Sequence, residues 1–197
     1  MEQPYFHSRH LPHFYSSTGT FFITYRLYGT LPKDVVECLN SLNEIKTPNE
    51  LLIKEREQLF KKFDAILDAS IYGPTYLKTP EIAEVNKYAL HFADDKDYRL
   101  ICYTIMSNHI HLLFELQENN KGISKIMQSL KRYTARESNK ILNRTGTFWQ
   151  DESYDHLVRD NAEFKNIIEY IILNPVKARL VENWKDYPYT YLNEKYL

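Results

Sequence analysis

The sequence predicts an α+β domain in which helices pack on an antiparallel β-sheet. Segments with strand and helix character follow the order strand, helices, hairpin, helix, helix, and no internal repeat or low-complexity linker separates them. A two-residue turn at Ser107-Asn108 joins two strand-like runs, as expected for neighbouring antiparallel strands. A chain of 197 residues can bury a substantial core, so we expect a single domain over residues 1–197.

Three runs rich in β-branched and aromatic residues are predicted strands. The second covers residues 98–106, and the third begins at His109 directly after the turn. The first covers residues 20–28, and its apolar face consists of Phe21, Ile23, Tyr25 and Leu27. Because successive side chains on a strand point to opposite faces, the third strand has an apolar face of Ile110, Leu112, Phe114 and Leu116.

Helices are predicted on both sides of the hairpin in sequence. The first begins at Pro32 and carries Val35, Val36, Leu39 and Leu42. Thr47-Pro48-Asn49-Glu50 combines an N-cap, a proline at the first helical position and a glutamate, so a second helix starts there and runs to about Ala69. We expect residues from about 34 to 70 to form a helical insertion beside the main sheet.

Three more helices follow. One begins at Thr79-Pro80, and another covers residues 122–142. The last begins with a capping box at Asp160-Asn161-Ala162-Glu163, and we expect Asn174-Pro175 to end it. Residues 144–150 between these helices are predicted to form a loop.

Composition is that of an ordinary globular protein, with a formal net charge of −1 and a pI near 6.7. No apolar run has the length of a membrane span and no signal-peptide core is visible, so we expect a cytoplasmic protein. Cys38 and Cys102 lack a metal-type spacing and are predicted to be free thiols. The overall charge argues against a protein covered in nucleic acid.

Charge is concentrated in one segment, however. Residues 121–144 carry a single acid, Glu137. The same segment carries seven cations: Lys121, Lys125, Lys131, Arg132, Arg136, Lys140 and Arg144. A local patch of this kind attracts phosphate groups.

The candidate site begins with two histidines on the third strand. His109 and His111 lie two residues apart, hence on the same face and about 7 Å from each other along the strand. Two neighbouring imidazoles can bind one divalent metal. The alternative is a pair of ordinary surface histidines, and this short motif does not exclude it.

The helix predicted over residues 122–142 has an apolar and a basic side. Tyr133 and Glu137 lie one turn apart on the border between the two sides. From this border Tyr133 could reach the histidine face of the sheet, and Glu137 could supply an oxygen ligand there. The alternatives are a half-buried packing tyrosine and an ion-paired glutamate. The apolar side consists of Ile123, Ile126, Met127, Leu130, Thr134 and Ile141.

These residues resemble the REP-associated tyrosine transposases, a group of single-tyrosine HUH transposases of the IS200-like kind. The motifs that carry the resemblance follow the family's order and cover nearly the whole chain. They are Leu11-Pro12-His13-Phe14, Gly73-Pro74-Thr75-Tyr76-Leu77, Met106-Ser107-Asn108-His109-Ile110-His111, Leu130-Lys131-Arg132-Tyr133-Thr134-Ala135-Arg136-Glu137, Gly146-Thr147-Phe148-Trp149-Gln150-Asp151-Glu152, Tyr154-Asp155-His156 and Asn174-Pro175-Val176-Lys177-Ala178. Ser107 and Arg179 depart from it, since relatives commonly have proline and glycine there.

The resemblance implies a ferredoxin-like fold and an enzyme that nicks single-stranded DNA at hairpin-forming repeats and transfers the strand through a 5′-phosphotyrosine. It implies that His109 and His111 are metal ligands for Mg²⁺ or Mn²⁺, that Tyr133 is the nucleophile, and that Glu137 is the third ligand. The implied partner is single-stranded DNA with hairpin repeats, and no membrane is involved. The protein would associate with the nucleoid when bound to DNA.

Contacts to DNA are expected from the basic patch and from a few residues after it. Phe148 and Trp149 are candidates for stacking on bases, although they fit a small core equally well, and His156 is a candidate for DNA contact or a structural role. The cations in question are Lys125, Lys131, Arg132, Arg136, Lys140 and Arg144.

Two other functions fit the same residues. One is a non-catalytic single-strand-binding module, and the other is a metal-dependent phosphodiesterase that uses water. The DNA repeat, the choice between monomer and homodimer, and whether the tyrosine acts on the histidines of its own chain all stay open.

Overall fold

A computed structural model describes residues 5–8, 12–15, 18–37, 50–118 and 120–196 of the chain. The predictions for Cys38, Leu39 and Leu42 and for the cap at Thr47-Pro48-Asn49 lie outside these residues. Cys102 is a buried free thiol, as predicted. Among the described residues, no helix is both long and apolar enough to cross a membrane.

The centre of the fold is a five-stranded antiparallel sheet. Its strands are β3 (Gly19–Leu27), β4 (Tyr98–Ile105), β5 (His109–Leu116), β6 (Trp149–Leu157) and β7 (Thr190–Leu192). They are arranged in the order β6-β3-β5-β4-β7, so that β5 is central. Two short strands before them, β1 (Tyr5–Ser8) and β2 (Pro12–Tyr15), pair only with each other.

Helices cover both faces of this sheet, which confirms the predicted α+β class. They are α1 (Glu50–Ala69), α2 (Pro80–Phe92), α3 (Ile123–Ile141) and α4 (Asn161–Lys177). A helical turn covers residues 33–37. The predicted strands, the hairpin turn and these four helix positions are observed. The proposed insertion at 34–70 stays a prediction.

The first face of the sheet holds the larger core, where α2 and α3 pack. The apolar sides predicted for β3 and β5 point into it, as do Ile82 and Leu90 of α2 and Ile126 and Leu130 of α3. Burial of this area stabilises the fold by the hydrophobic effect. Ile141, predicted to belong to the apolar side of α3, is instead 43% exposed at the end of the helix.

The second face holds a smaller core, where α1 and α4 pack. Phe22 and Leu113 from the sheet contact Ile168 and Ile171 of α4, and Phe60 of α1 packs against the same cluster. Because His109 and His111 alternate with the first-face residues of β5, both imidazoles point to this second face.

Two sequence expectations about element ends are wrong. Residues 144–150 are not all loop, since β6 begins at Trp149, and β6 was not predicted because its polar residues suit a half-buried edge strand. α4 does not end at Asn174-Pro175 but continues to Lys177 with Pro175 inside it. The proline falls in the last turn, where it costs few hydrogen bonds.

Candidate metal centre on the second face of the sheet

His109 and His111 lie side by side and fully buried at the centre of the sheet. Their Nε2 atoms are 3.1 Å apart. The Phe22 ring, from the neighbouring strand β3, stacks on His111 at 5.8 Å between centroids. The pair is therefore part of a rigid core and not a pair of ordinary surface histidines.

A hydrogen bond on Nδ1 fixes the orientation of each imidazole. Asn108 Nδ2 donates to the Leu67 carbonyl at 3.0 Å, so its Oδ1 is left to accept from His109 Nδ1 at 2.7 Å. His111 Nδ1 lies 2.7 Å from Thr24 Oγ1. When Nδ1 carries the proton, the Nε2 lone pair is free to bind a metal, and this second layer of contacts orients metal-binding histidines in general.

The helix α1 brings two carboxyl groups to the histidines. Asp64 Oδ1 lies 3.3 Å from His111 Nε2 and 3.9 Å from His109 Nε2. Asp68, one turn later, places its Oδ1 3.5 Å from His109 Nε2. In the described part of the chain, one group of three or more His, Cys, Asp or Glu side chains has ligand atoms that all lie within 4.8 Å of one another. Its members are Asp64, His109 and His111.

The helix α4 brings a tyrosine and an amide to the same place. The Tyr170 hydroxyl donates a hydrogen bond to Asp64 Oδ2, and its ring lies 5.4 Å from that of His111. Asn174, one turn after Tyr170, is fully buried, with its Nδ2 3.3 Å from His111 Nε2. The Lys177 ammonium lies 4.7 Å from the centre of the Tyr170 ring.

The unpaired atoms of this cluster fit a bound divalent cation. The two imidazole Nε2 atoms face each other, and three side-chain oxygens of the cluster are buried without a hydrogen-bond partner: Asp64 Oδ1, Asp68 Oδ1 and Asn174 Oδ1. Buried polar atoms without partners are costly, whereas the same atoms around a cation are favourable ligands. Nitrogen and oxygen ligands in one site suit a divalent metal.

The ionisation of these groups agrees with that fit. Burial, together with the neighbouring His111, lowers the pKa of His109 to about 3, so the imidazole is neutral and has its lone pair at neutral pH. Burial raises the pKa of Asp64, but the two histidines and Lys177 outweigh it and lower that pKa below its ordinary value. Burial and the charge of Asp64 raise the pKa of Asp68 to about 6.

Tyr133 and Glu137 are not brought to this centre. Their helix, α3, packs on the first face of the sheet, opposite to the side from which the imidazoles project. The Tyr133 ring contacts Tyr88 of α2 at 6.4 Å between centroids. The expectation that this helix faces the histidines is therefore wrong, because its apolar side packs on the apolar face of β5 and not on the histidine face.

Glu137 is instead engaged by two cations of its own helix. It accepts hydrogen bonds from Arg136 Nε at 2.6 Å and Lys140 Nζ at 3.0 Å. Lys140 and Arg136 lower the pKa of the Glu137 carboxyl below its ordinary range. The carboxyl groups beside the histidines are those of Asp64 and Asp68.

Of the basic residues predicted to bind DNA, two donate hydrogen bonds to backbone carbonyls of residues 147–151, and the other four are exposed. Lys131 Nζ donates to the carbonyls of Gln150 and Asp151 at 3.0 and 2.9 Å, so it fastens β6 to α3. Arg144 donates to the Thr147 carbonyl. The remaining side chains lie on the exposed side of α3: Lys125, Arg132, Arg136 and Lys140.

The other candidates for DNA contact have packing roles. Phe148 and Trp149 are only 2% and 5% exposed, so the alternative of a core role is the one observed. Trp149 Nε1 donates to Thr134 Oγ1 at 2.9 Å. His156 Nε2 lies 3.0 Å from Glu163 Oε1, and it therefore bridges β6 and α4.

Sequence reasoning missed Asp64, Asp68, Tyr170 and Asn174. One signal was available in the spacing of these residues. The two of α1 are four positions apart, as are the two of α4, so each pair lies on one side of its helix. In α4 this side interrupts an isoleucine-rich apolar stripe, which is unusual unless the polar groups have buried partners. The aspartates of α1 were hidden among many charged residues.

Comparisons with known proteins identify the family of the chain. The sequence model of the family described as "Transposase IS200 like" matches residues 69–174. That segment includes both histidines, Tyr170 and Asn174, and it begins after Asp64 and Asp68.

Two curated relatives have REP-associated tyrosine transposase in their names. The protein of Haemophilus influenzae, named putative, is 32% identical over 102 residues, which cover 47% of this chain and 58% of the relative. The protein of Escherichia coli is 21% identical over 98 residues, covering 49% and 55%. The chain therefore matches little more than half the length of these relatives.

A solved structure of a REP-associated tyrosine transposase bound to a REP hairpin has the same fold, with a TM-score of 0.57. The match covers 90% of this chain and 79% of that chain at 17% identity. It supports the predicted sheet packed with helices. Since the family model matches just over half of the sequence and includes the histidine pair, the chain belongs to the IS200-like transposase family.

Proposed function

We propose that this protein cleaves and rejoins single-stranded DNA at hairpin-forming repeats through a covalent tyrosine intermediate, and that Tyr170 is the nucleophile. The observation that carries the proposal is the hydrogen bond from the Tyr170 hydroxyl to Asp64, whose other oxygen lies beside the histidine pair. A nucleophile must be within reach of the group that activates the phosphate, and Tyr170 satisfies this condition within one chain.

Three atoms would hold the metal: Nε2 of His109, Nε2 of His111 and Oδ1 of Asp64. Asp68 Oδ1, 3.5 Å from His109 Nε2, lies beside them. When bound, a divalent cation withdraws charge from a non-bridging phosphate oxygen and so favours attack at phosphorus. Mg²⁺ and Mn²⁺ are the metals we propose, and other divalent metals compete for the same kind of ligands.

The residues of the chain supply the nucleophile and its orientation. The phenol oxygen of Tyr170 attacks phosphorus, the bond from phosphorus to the 3′-oxygen breaks, and the proton of the phenol ends on the released 3′-hydroxyl. The product is a 5′-phosphotyrosine. Because the phosphodiester bond is exchanged and not hydrolysed, a second 3′-hydroxyl can reverse the step and join new ends.

Two neighbours prepare Tyr170 for this role. Asp64 Oδ2 accepts the hydroxyl hydrogen bond and so sets the direction of the phenol oxygen. The Lys177 ammonium beside the ring favours the negative charge that develops on the oxygen as it loses its proton. Free tyrosine has a pKa near 10, so it requires such help at neutral pH.

The DNA substrate is proposed from the relatives. Two of them are named for REP sequences, and a structural neighbour is bound to a REP hairpin. A chain that shares their fold and places a metal centre beside a tyrosine is suited to a hairpin with a single-stranded flank. The contacts between the protein and the bases determine which repeat it recognises.

The test is formation of a covalent adduct between the protein and a labelled hairpin oligonucleotide in Mn²⁺ or Mg²⁺. We expect the adduct with the natural chain and with Tyr133→Phe, and we expect its loss in Tyr170→Phe, which keeps the ring but removes the attacking oxygen. If Tyr133→Phe abolishes the adduct and Tyr170→Phe retains it, Tyr133 is the nucleophile and Tyr170 is not.

The same experiment separates the other candidate functions. Cleavage without adduct that persists in Tyr170→Phe would indicate hydrolysis by water. Binding without cleavage over several candidate repeats would indicate a binding module. Mixing the Tyr170→Phe chain with a His109→Ala chain tests whether a tyrosine serves the histidines of a partner, since activity then returns only if the site is shared.

A further inference from the structure

We infer that the first face of the protein, opposite to the metal centre, carries a second contact surface for single-stranded DNA, on which bases stack on exposed aromatic rings. The rings belong to Tyr88 and Phe92 of α2 and Tyr133 of α3, and we call them the aromatic stripe. The inference rests on the proposed function, which identifies the ligand as single-stranded DNA. The surface itself is identified from the structure.

The aromatic stripe is exposed at the border between two helices. Tyr88, Phe92 and Tyr133 are 59%, 58% and 36% exposed. Tyr88 is the central ring, 6.0 Å from Phe92 and 6.4 Å from Tyr133 between centroids. The three rings thus form one continuous apolar surface in water, and such a surface generally marks a contact site.

Cations lie over both ends of the aromatic stripe. Lys96 Nζ is 3.5 Å from the centre of the Phe92 ring, and the guanidinium of Arg136 is 5.8 Å from the centre of the Tyr133 ring. Aromatic faces beside cations are the combination that binds single strands, because bases stack on the rings while phosphates pair with the charges. An apolar protein partner would not require these cations.

The positive charge continues past Tyr133 into a basic cleft at the end of α3. The cleft is lined by Arg136, Asn139, Lys140, Asn143 and Arg144. Glu137 lies beside it and holds Arg136 and Lys140 in place through hydrogen bonds. Three cations against one acid leave this end of the helix positive, which is complementary to a phosphate backbone.

This surface also gives Tyr133 a role other than attack on phosphate. Its ring is exposed and lies tilted beside that of Tyr88, and the sheet separates it from the histidines. A strand that leaves the metal centre around the edge of the sheet would reach the aromatic stripe. The contact would then add affinity for the flank of the hairpin without taking part in the chemistry.

The test is binding of a fluorescein-labelled oligothymidylate of roughly 16 nucleotides by the full chain in EDTA, which prevents cleavage. We expect Tyr88→Leu with Tyr133→Leu to weaken binding about five-fold or more for each ring lost. The matched control is Tyr88→Phe with Tyr133→Phe, which keeps the rings and should keep the affinity. Unchanged binding in the leucine variant would overturn the inference.

Charge is tested separately on the same surface. Arg136→Ala and Lys140→Ala should each lower the slope of log affinity against log salt by about 0.7, as expected for one lost phosphate contact on a single strand. Equal slopes would contradict a nucleic-acid surface here. If the leucine variant instead changes the oligomeric state in sedimentation, the aromatic stripe is an interface between copies of this chain and the inference is wrong.

The outcome does not depend on catalysis. If the natural chain binds through the aromatic stripe but never cleaves, the proposed function fails and this inference stands. If cleavage occurs while the leucine variant binds normally, only this inference fails.

Discussion

At the scale of single residues, the histidine pair depends on two hydrogen-bond acceptors. His109 uses Asn108 and His111 uses Thr24, each at 2.7 Å from Nδ1. Since such partners fix the tautomer, we expect Thr24→Val, which keeps the shape and removes the oxygen, to lower Mn²⁺ affinity roughly 10-fold or more in calorimetric titration.

The control for this prediction is in the same sheet. Thr104→Val removes a hydroxyl that is hydrogen-bonded to Thr190 at 2.8 Å, whereas Nδ1 of His111 pairs with Thr24, so Mn²⁺ affinity should be unchanged. Thr24→Ser restores the oxygen and should restore the affinity. Equal Mn²⁺ affinities for Thr24→Val and the natural chain would show that Thr24 does not orient His111.

The Glu163 carboxyl is predicted to make the stability of the fold depend on pH. Partial burial raises its pKa, but hydrogen bonds from Arg159 and the proximity of His156 outweigh this effect and lower it to about 2. A carboxyl with a depressed folded pKa stabilises the fold above its unfolded pKa and loses this contribution as pH falls through the folded pKa. The stability contributed by Glu163 is therefore present near neutrality and lost between about pH 5 and about pH 2.

Urea unfolding of Glu163→Gln checks this prediction. The gap in unfolding free energy between the natural chain and the variant should be largest near neutral pH and should narrow towards about pH 3. Glu169→Gln, at an exposed position of the same helix, should show little gap at any pH. A gap for Glu163→Gln that does not change with pH would refute the ionic contribution.

At the scale of elements, the end of α4 has a backbone conformation that favours glycine at the position of Arg179. Arg179 has a φ of 58°, and its N–H donates to Val176 while that of Leu180 donates to Pro175. These are the two hydrogen bonds of a Schellman motif, which favours glycine at this position. A side chain costs about 1–2 kcal/mol in this left-handed conformation.

We expect Arg179→Gly to stabilise the protein by about 1 kcal/mol, after the greater freedom of glycine in the unfolded chain is subtracted. The melting temperature should rise by about 2–4 °C in calorimetry. Arg179→Ala keeps the Cβ and should bring much less gain. A gain of equal size in both variants would assign the effect to the charge of arginine.

At the scale of the whole molecule, the candidate metal centre joins three separate elements. Asp64 belongs to α1, the histidines to β5 and Asn174 to α4. A ligand that binds only the folded state stabilises it by about 2.7 kcal/mol at a concentration 100 times its dissociation constant. For a chain of this length we therefore expect Mn²⁺ to raise the melting temperature by about 5–10 °C.

The control for the thermal shift is Asp64→Asn, which keeps the size of the side chain but removes its charge. Its shift with Mn²⁺ should be much smaller. Glu137→Gln changes the carboxylate first expected at the metal and should keep the full shift. The reverse result would restore Glu137 as the third ligand.

The sequence by itself determined the fold class, the hairpin, the two faces of β5 and the histidine pair. These features depend on local physics, because strand alternation, turn chemistry and helix caps act over a few residues. The family pattern around the histidines is equally local, and it predicted the right family.

Only the tertiary structure decided which helices share a face with the histidines. A helical wheel shows that α3 has an apolar side, but it does not show which face of the sheet that side covers, since both faces of β3 and β5 are buried. The structure puts α2 and α3 on one face and α1 and α4 on the other. Tyr170, Asn174 and Asp64 thus meet the histidines, because packing of distant segments brings them together and no local pattern in the sequence encodes that choice.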